Sequence, residues 1–274
     1  GKDNKIRPDV DPYIEKGYIP LGYFAQDFSG DNSVSHALEY YVADNALALL
    51  SDKLAQEAKS SAQKAEYQKY AKEFRKRSKG WRHYYSKESG TLRPLNSDGT
   101  FISPFNPKDG ADFSNTPGFH EGSAWNYTFY VPHDIEGLAK AMGGGKAFVA
   151  KLQKVFDEGL YDPANEPDIA YPFLFSRFKG EEHRTPQTVA ALLKKYYTTR
   201  PDGIPGNDDT GVMSAWAVFS MIGMYPDCPG EPQYTLFPPV FDSVEINGKY
   251  VIRKDQKIKK HRITHQEFVR DYAK

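Results

Sequence analysis

The sequence predicts a mainly α protein: an (α/α)6 toroid of helical hairpins, incomplete at this length, with a small β-hairpin region near its C-terminal end. Three observations lead there. Apolar residues recur at helical spacing in several segments joined by polar turns. The longer connections are rich in Gly, Pro, Asn and Asp and hold most of the chemistry-bearing side chains. After Pro229 the apolar pattern shortens to that of strands. About six or seven helices are predicted, fewer than a closed toroid of six hairpins needs.

The elements follow in chain order. Val34, Ala37, Leu38 and Tyr41 keep one face of a helix over 33–58, and Asp31, Asn32 and Ser33 offer caps for its start. A second helix over 61–79 carries Tyr67, Tyr70 and Phe74 on one face. The short turn between them predicts antiparallel neighbours. From Ser86 to Asn126 no long periodicity survives, and so long a loop points to function. Helices follow over 134–142, 146–158 and 185–199, and another over 211–224. The last is apolar on most sides and is expected to be deeply buried. Val244 and Ile246, then Asn247-Gly248, then Tyr250, Val251 and Ile252 read as a β-hairpin. The tail from Arg253 is charged and weakly patterned, and the basic run from Lys254 to Arg262 reads as a solvated face.

Composition narrows the function classes. Lys+Arg and Asp+Glu both number 36, which leaves no electrostatic footprint for nucleic acid or an anionic membrane. No apolar run reaches membrane-span length. Cys228 is the only cysteine, so neither an internal disulfide nor a cysteine zinc site is available. Gly1-Lys2-Asp3 reads as a cut rather than a natural start, and no signal peptide opens the chain, so secretion stays open. G-x-S-x-G, H-E-x-x-H, phosphate-loop and dinucleotide patterns are missing.

Three loops set polar clusters against aromatics. In Phe119-His120-Glu121-Gly122-Ser123-Ala124-Trp125-Asn126-Tyr127, Glu121 sits in an aromatic surround. Partial desolvation there would raise its pKa and suit it to general-acid work, whereas a helix-start glutamate is the structural reading. His120 and His133 lie near it in sequence, and Val131-Pro132-His133-Asp134 continues the segment. The second loop, Ala164-Asn165-Glu166-Pro167-Asp168, clusters oxygen ligands that suit a hard cation such as calcium, or form a polar turn. The third, from Gly203 to Gly211, places Asp208 and Asp209 side by side before an apolar helix. They could be caps, or a base beside a metal ligand, because adjacent like charges need compensation. Two carboxyl-bearing loops on a helical frame suggest glycoside hydrolysis: one acid protonates the leaving oxygen and the other activates water.

Taken together the three loops resemble glycoside hydrolase family 92 α-mannosidases. Gly118 to Tyr127 with Val131-Pro132-His133-Asp134 resembles the acid-bearing segment of that family. Asn165-Glu166-Pro167 before Tyr171-Pro172-Phe173-Leu174-Phe175 resembles a second signature. Gly206-Asn207-Asp208-Asp209-Thr210-Gly211 with Met213-Ser214-Ala215-Trp216 resembles a third. Tyr18-Ile19-Pro20, Ser33-Val34-Ser35 and Leu38-Glu39-Tyr40 also fit, and the resemblance runs over about 10–250.

The resemblance implies an exo-acting, inverting, calcium-dependent enzyme whose partners are α-mannoside glycans, secreted or periplasmic by its substrate class. It implies residues 1–228 as part of the catalytic (α/α)6 domain, 229–274 as a β-rich extension of it, and an N-terminal β-sandwich as companion domain. Glu121 matches the general acid, and Asp209, with Asp208, the water-activating carboxylates. Trp125, His133, Asp134, Asn165 and Glu166 are the expected substrate contacts. Asp209, Glu166 and Asn165 are the expected calcium ligands. The family's Trp-Asp-x-x-Arg segment and its β-sandwich have no counterpart here, so activity of this piece alone is open. Asn165 stands where α-1,2-specific members carry His, which argues for another linkage. Two rival readings remain: a non-catalytic carbohydrate-binding fragment, and another (α/α)6 glycosidase.

Overall fold

The structure is a computed structural model that describes residues 7–23, 31–112, 114 and 116–274. The opening Gly1-Lys2-Asp3 lies outside them. The chain is mainly helical with small antiparallel sheets and divides into two compact units. Gly1–Phe148 with Lys154–Leu160 makes the first, and Val149–Gln153 with Tyr161–Lys274 the second.

The first unit is built on a helical hairpin. A short helix α1 (Val10–Lys16) precedes α2 (Ser33–Glu57) and α3 (Ser61–Arg77). Ser60 accepts from the Gln63 amide at 3.2 Å and starts α3 three residues after α2 ends. Arg75 pairs with Asp52, and Arg77 with Asp44 at 2.9 Å, so the later end of α3 lies along α2 in antiparallel register. The Tyr67, Tyr70 and Phe74 face of α3 is only partly covered, and Ala71 is its one buried residue. A hairpin of β1 (Tyr85–Ser86) and β2 (Thr91–Leu92) leads into the long loop. Three short helices follow: α4 (Ala124–Thr128), α5 (Ile135–Ala141) and α6 (Gly145–Asp157). The core is aromatic: Tyr13, Tyr41, Trp81, Tyr84, Phe129 and Phe148 are all buried.

In the second unit α7 (Arg184–Tyr196) and α8 (Val212–Ile222) precede the sheets. Helix α8 departs from the expected deep burial. Met213, Trp216, Ala217 and Ser220 are buried, but Val218 is 53% exposed on the other side. Only one face of the helix meets the rest of its unit. Strands β3 (Met224–Tyr225), β4 (Gln233–Leu236) and β7 (Arg262–Thr264) form one sheet in the order β3-β4-β7. Strands β5 (Ser243–Ile246) and β6 (Tyr250–Arg253) form the predicted hairpin. Asn247 at φ 53° and Gly248 at φ 67° supply the two left-handed residues that its turn needs.

The tail is more ordered than its composition suggests. Arg262 belongs to β7, and α9 (His265–Asp271) follows. Thr264 and Glu267 cap α9 reciprocally, at 3.1 Å and 2.7 Å. That Thr-x-x-Glu pattern is readable in the sequence. Phe268 then closes a core with Met224, Leu236, Ile252 and Ile263. Beneath β4, the side chains of Arg177 and Asp227 pair at 3.2 Å with 3% and 0% exposure, and Thr235 donates to the same carboxylate at 3.1 Å. Removing one partner of such a pair strands a buried charge. Asp227→Ala should therefore cost about 3–5 kcal/mol, read as a lowered urea midpoint at unchanged slope.

Candidate active site

The acid-bearing loop is assembled by the start of α2. The Val34 and Ser35 amides donate to the Gly118 carbonyl at 2.9 and 3.1 Å, and the His120 amide donates to Ser35 Oγ at 2.9 Å. Gly118, at φ 89°, approaches so closely that an added Cβ would strike Pro94. Ser123 and Asn126 form a capping box that starts α4 directly after the loop. The Tyr127 hydroxyl donates to the His120 carbonyl at 2.6 Å. The segment is thus tied on both sides of Glu121.

Glu121 itself has φ 48°, in the left-handed region that L residues avoid. Its side chain is 57% exposed, and Oε1 lies 3.7 Å from His120 Nε2. The expected aromatic desolvation is not what surrounds it. Phe119, Trp125 and Tyr127 are buried beneath the loop, with Phe119 and Tyr127 rings 5.6 Å apart, while the carboxyl points outward. Trp125 is 4% exposed, with the Lys154 ammonium 5.2 Å from its ring centre. It supports the loop from below. His133 Nε2 lies 2.8 Å from the Ser78 carbonyl. Asp134 accepts from Trp81 Nε1 at 3.0 Å and pairs with Arg82 at 2.7 Å. Those contacts anchor the start of α5.

In the second unit the other two loops come together. An added Cβ on Gly206 would meet Ala164 at 2.7 Å, and Trp216 Nε1 donates to the Ile169 carbonyl at 2.8 Å. Asn165 is buried and accepts from the Glu166 amide at 3.1 Å, which starts the 3-10 turn Glu166–Asp168, while Glu166 is exposed. Two aspartates hold this loop: Asp168, from the expected oxygen cluster, and Asp162, from outside it. Asp168 accepts from the Asp162 amide at 2.9 Å, and Asp162 accepts from the Ala164 amide at 2.8 Å. Burial pushes the Asp162 carboxyl above the ordinary aspartate range.

Asp208 and Asp209 have different environments. Asp208 accepts from the Ser214 amide at 2.8 Å and its hydroxyl at 2.6 Å, so it caps α8. Those hydrogen bonds, that of the Ser214 side chain first, hold its pKa below the ordinary value. The compensation sought for two adjacent carboxylates comes, for Asp208, from two donors. Asp209 is exposed, and Thr210 beside it is left-handed at φ 57°. Of the three non-glycine residues with positive φ among those described, one is Glu121, one adjoins Asp209 and one is the hairpin turn.

Among the described residues no three His, Cys, Asp or Glu side chains converge as a metal cage. Asn165, Glu166 and Asp209 are an all-oxygen set of the kind calcium takes. With only two carboxylates, such a set leaves much of the ion's shell to carbonyls, water and ligand hydroxyls.

The fold and these loops define a mainly helical domain that displays exposed carboxylates on strained, braced loops. The family model for the glycosyl hydrolase family 92 catalytic domain matches residues 2–272, and the chain belongs to that family. A family GH92 inverting mannosidase from Bacteroides thetaiotaomicron superposes with a TM-score of 0.79 at 24% identity, over 96% of this chain and 38% of that one. A GH92 α-mannosidase of the same organism in complex with mannoimidazole gives 0.76 at 24%, over 95% and 37%. At that identity the likeness shows the fold. An uncharacterized secreted glycosidase from Arthroderma benhamiae is 28% identical, over 84% of this chain and 30% of its own length. The chain therefore spans about a third of the length of these relatives. No helix among the described residues is long and apolar enough to cross a membrane.

The Asp208 geometry gives a sign-defined pH effect. Its folded pKa is depressed, so its stabilising contribution is present above the ordinary aspartate pKa and is lost as pH falls through the lower folded value. Ser214→Ala should raise the Asp208 midpoint towards the ordinary value, followed by carboxyl NMR titration, and should shift acid unfolding to higher pH.

Proposed function

We infer that this chain is the carboxylate-bearing part of a secreted exo-acting α-mannosidase that hydrolyses terminal α-mannosides with inversion. The observation that carries the reading is the placing of strained, left-handed backbone at Glu121 and beside Asp209, in the two loops where the family resemblance puts acid and base. Membership of family 92 and the fold shared with mannosidases support it.

The chemistry assigned to these residues is a single displacement. Glu121 donates its proton to the glycosidic oxygen as the bond to the anomeric carbon breaks. Asp209 takes a proton from the water that forms the new bond on the opposite face. Asp208, tied to Ser214, holds the start of α8 and fixes where Asp209 stands. A bound sugar would cover the exposed Glu121 carboxyl and exclude water from it. A calcium ion on Asp209, Glu166 and Asn165 would supply positive charge to the mannose hydroxyls as charge spreads over the ring.

The full-length polypeptide should release mannose from mannobioses and from 4-nitrophenyl α-mannoside, lose that activity in EDTA and regain it with calcium. Glu121→Gln should lower kcat on mannobiose by roughly 10²–10⁴-fold with little change in KM, and cost less on the aryl substrate, whose leaving group needs no acid. Normal turnover of mannobiose by that variant would remove Glu121 from the acid role. Mannoside binding without release in any condition would favour a non-catalytic carbohydrate-binding protein.

A further inference from the structure

Helix α2 carries a carboxyl group that the reading above does not use. Of residues 33–42, all but His36 and Glu39 are buried. Protein surrounds this stretch on nearly every side. Glu39 is the one exposed side chain of the stretch, standing among buried neighbours. Glu39 lies one helical turn after Ser35, on the same face, and Ser35 holds the His120 amide. The Glu39 carboxyl accepts from the Tyr130 hydroxyl. The Tyr130 amide in turn bonds the Tyr127 carbonyl at 3.0 Å, and Tyr127 holds the His120 carbonyl. Glu39 and Tyr130 are therefore bound to the two elements that brace the Glu121 loop.

The charge setting is consistent with a ligand-facing group. His36, three residues before Glu39, is half-buried, and its Nδ1 lies 2.7 Å from the buried Asp9, which also accepts from Tyr40 at 2.6 Å. Desolvation is the largest influence on the Glu39 carboxyl and raises its pKa, opposed by Tyr130 and His36. A group that is both solvent-accessible and desolvated by close neighbours is typical of a cleft wall. Among the described residues Glu39 makes no salt bridge, and a mid-helix glutamate of that kind contributes little to stability.

The geometry points to Glu39, with the Tyr130 hydroxyl, as a sugar-hydroxyl-binding pair beside Glu121. A carboxylate with one position on a phenol keeps others that can accept from vicinal hydroxyls, and the phenol orients it. This rests on the glycosidase reading only for the identity of the sugar; the site itself is defined by the first unit.

The test is calorimetric binding of methyl α-mannoside to the full-length polypeptide, with steady-state kinetics alongside. Glu39→Ala should weaken binding and raise KM by about tenfold or more. Glu39→Gln, which keeps an acceptor for Tyr130, should give a smaller loss, and Tyr130→Phe about threefold. Glu39→Gln is near-isosteric, so it decides the matter if the alanine variant does not fold. Variants that bind the mannoside as tightly as the wild type, with its KM, would overturn the pair while leaving the glycosidase reading intact. A wild type that binds but never hydrolyses would sink the glycosidase reading, and the binding comparison would still judge Glu39.

Discussion

The left-handed backbone at Glu121 is held only by its surroundings. A non-glycine residue in that region costs of order 1–3 kcal/mol. The carbonyl of Gly118 is held by the first amides of α2, the His120 amide by Ser35, and the His120 carbonyl by Tyr127. The capping box of Ser123 and Asn126 then fixes where α4 begins. With both flanks fixed, the one residue between them has little choice of conformation, and its side chain is presented outward. The aromatic residues that look like a sugar platform in the sequence are the floor of this arrangement. Their burial secures the loop so that the carboxyl need not be buried.

The second unit uses the same device with different parts. Gly206 lets its loop lie against Ala164, and the Trp216 indole reaches the Ile169 carbonyl from within α8. Tyr197 stacks on Trp216 at 5.4 Å, and Phe173 stacks on Tyr225 at 3.8 Å, so the helix rests on an aromatic layer. Asp208 and Asp162 are spent on backbone amides. Acidic residues in these loops thus divide into those that shape the backbone and those, Asp209 and Glu166, left exposed on it. That division gives the two adjacent aspartates different settings: Asp208 is held by the Ser214 amide and hydroxyl, and Asp209 stands exposed.

Below this loop layer the second unit is closed by charge as well as by apolar packing. The Arg177–Asp227 pair joins the 3-10 segment after the Asn165 loop to the sheet of β3, β4 and β7. Arg262, from what composition presents as a solvated basic tail, pairs with Glu231 at 2.7 Å. The tail is structured because Ile263 and Phe268 have a core to join.

Periodicity alone determined where α2, α3, α5, α6, α7 and α8 lie to within a few residues, and Asn247-Gly248 determined the hairpin, because both signals are local. The three loops were legible for the same reason: unusual residue types stand close together in the chain. Tertiary structure decided the rest. Whether an aspartate caps a helix or stands exposed depends on where Ser214 falls, and that Asp134 pairs with Arg82 depends on a segment distant in the chain. The accessible face of α8 and the exposure of Glu39 are invisible to pattern reading, since burial is a property of what packs around a helix rather than of the helix. Sequence names the groups capable of chemistry; only packing distant segments together selects which of them face water.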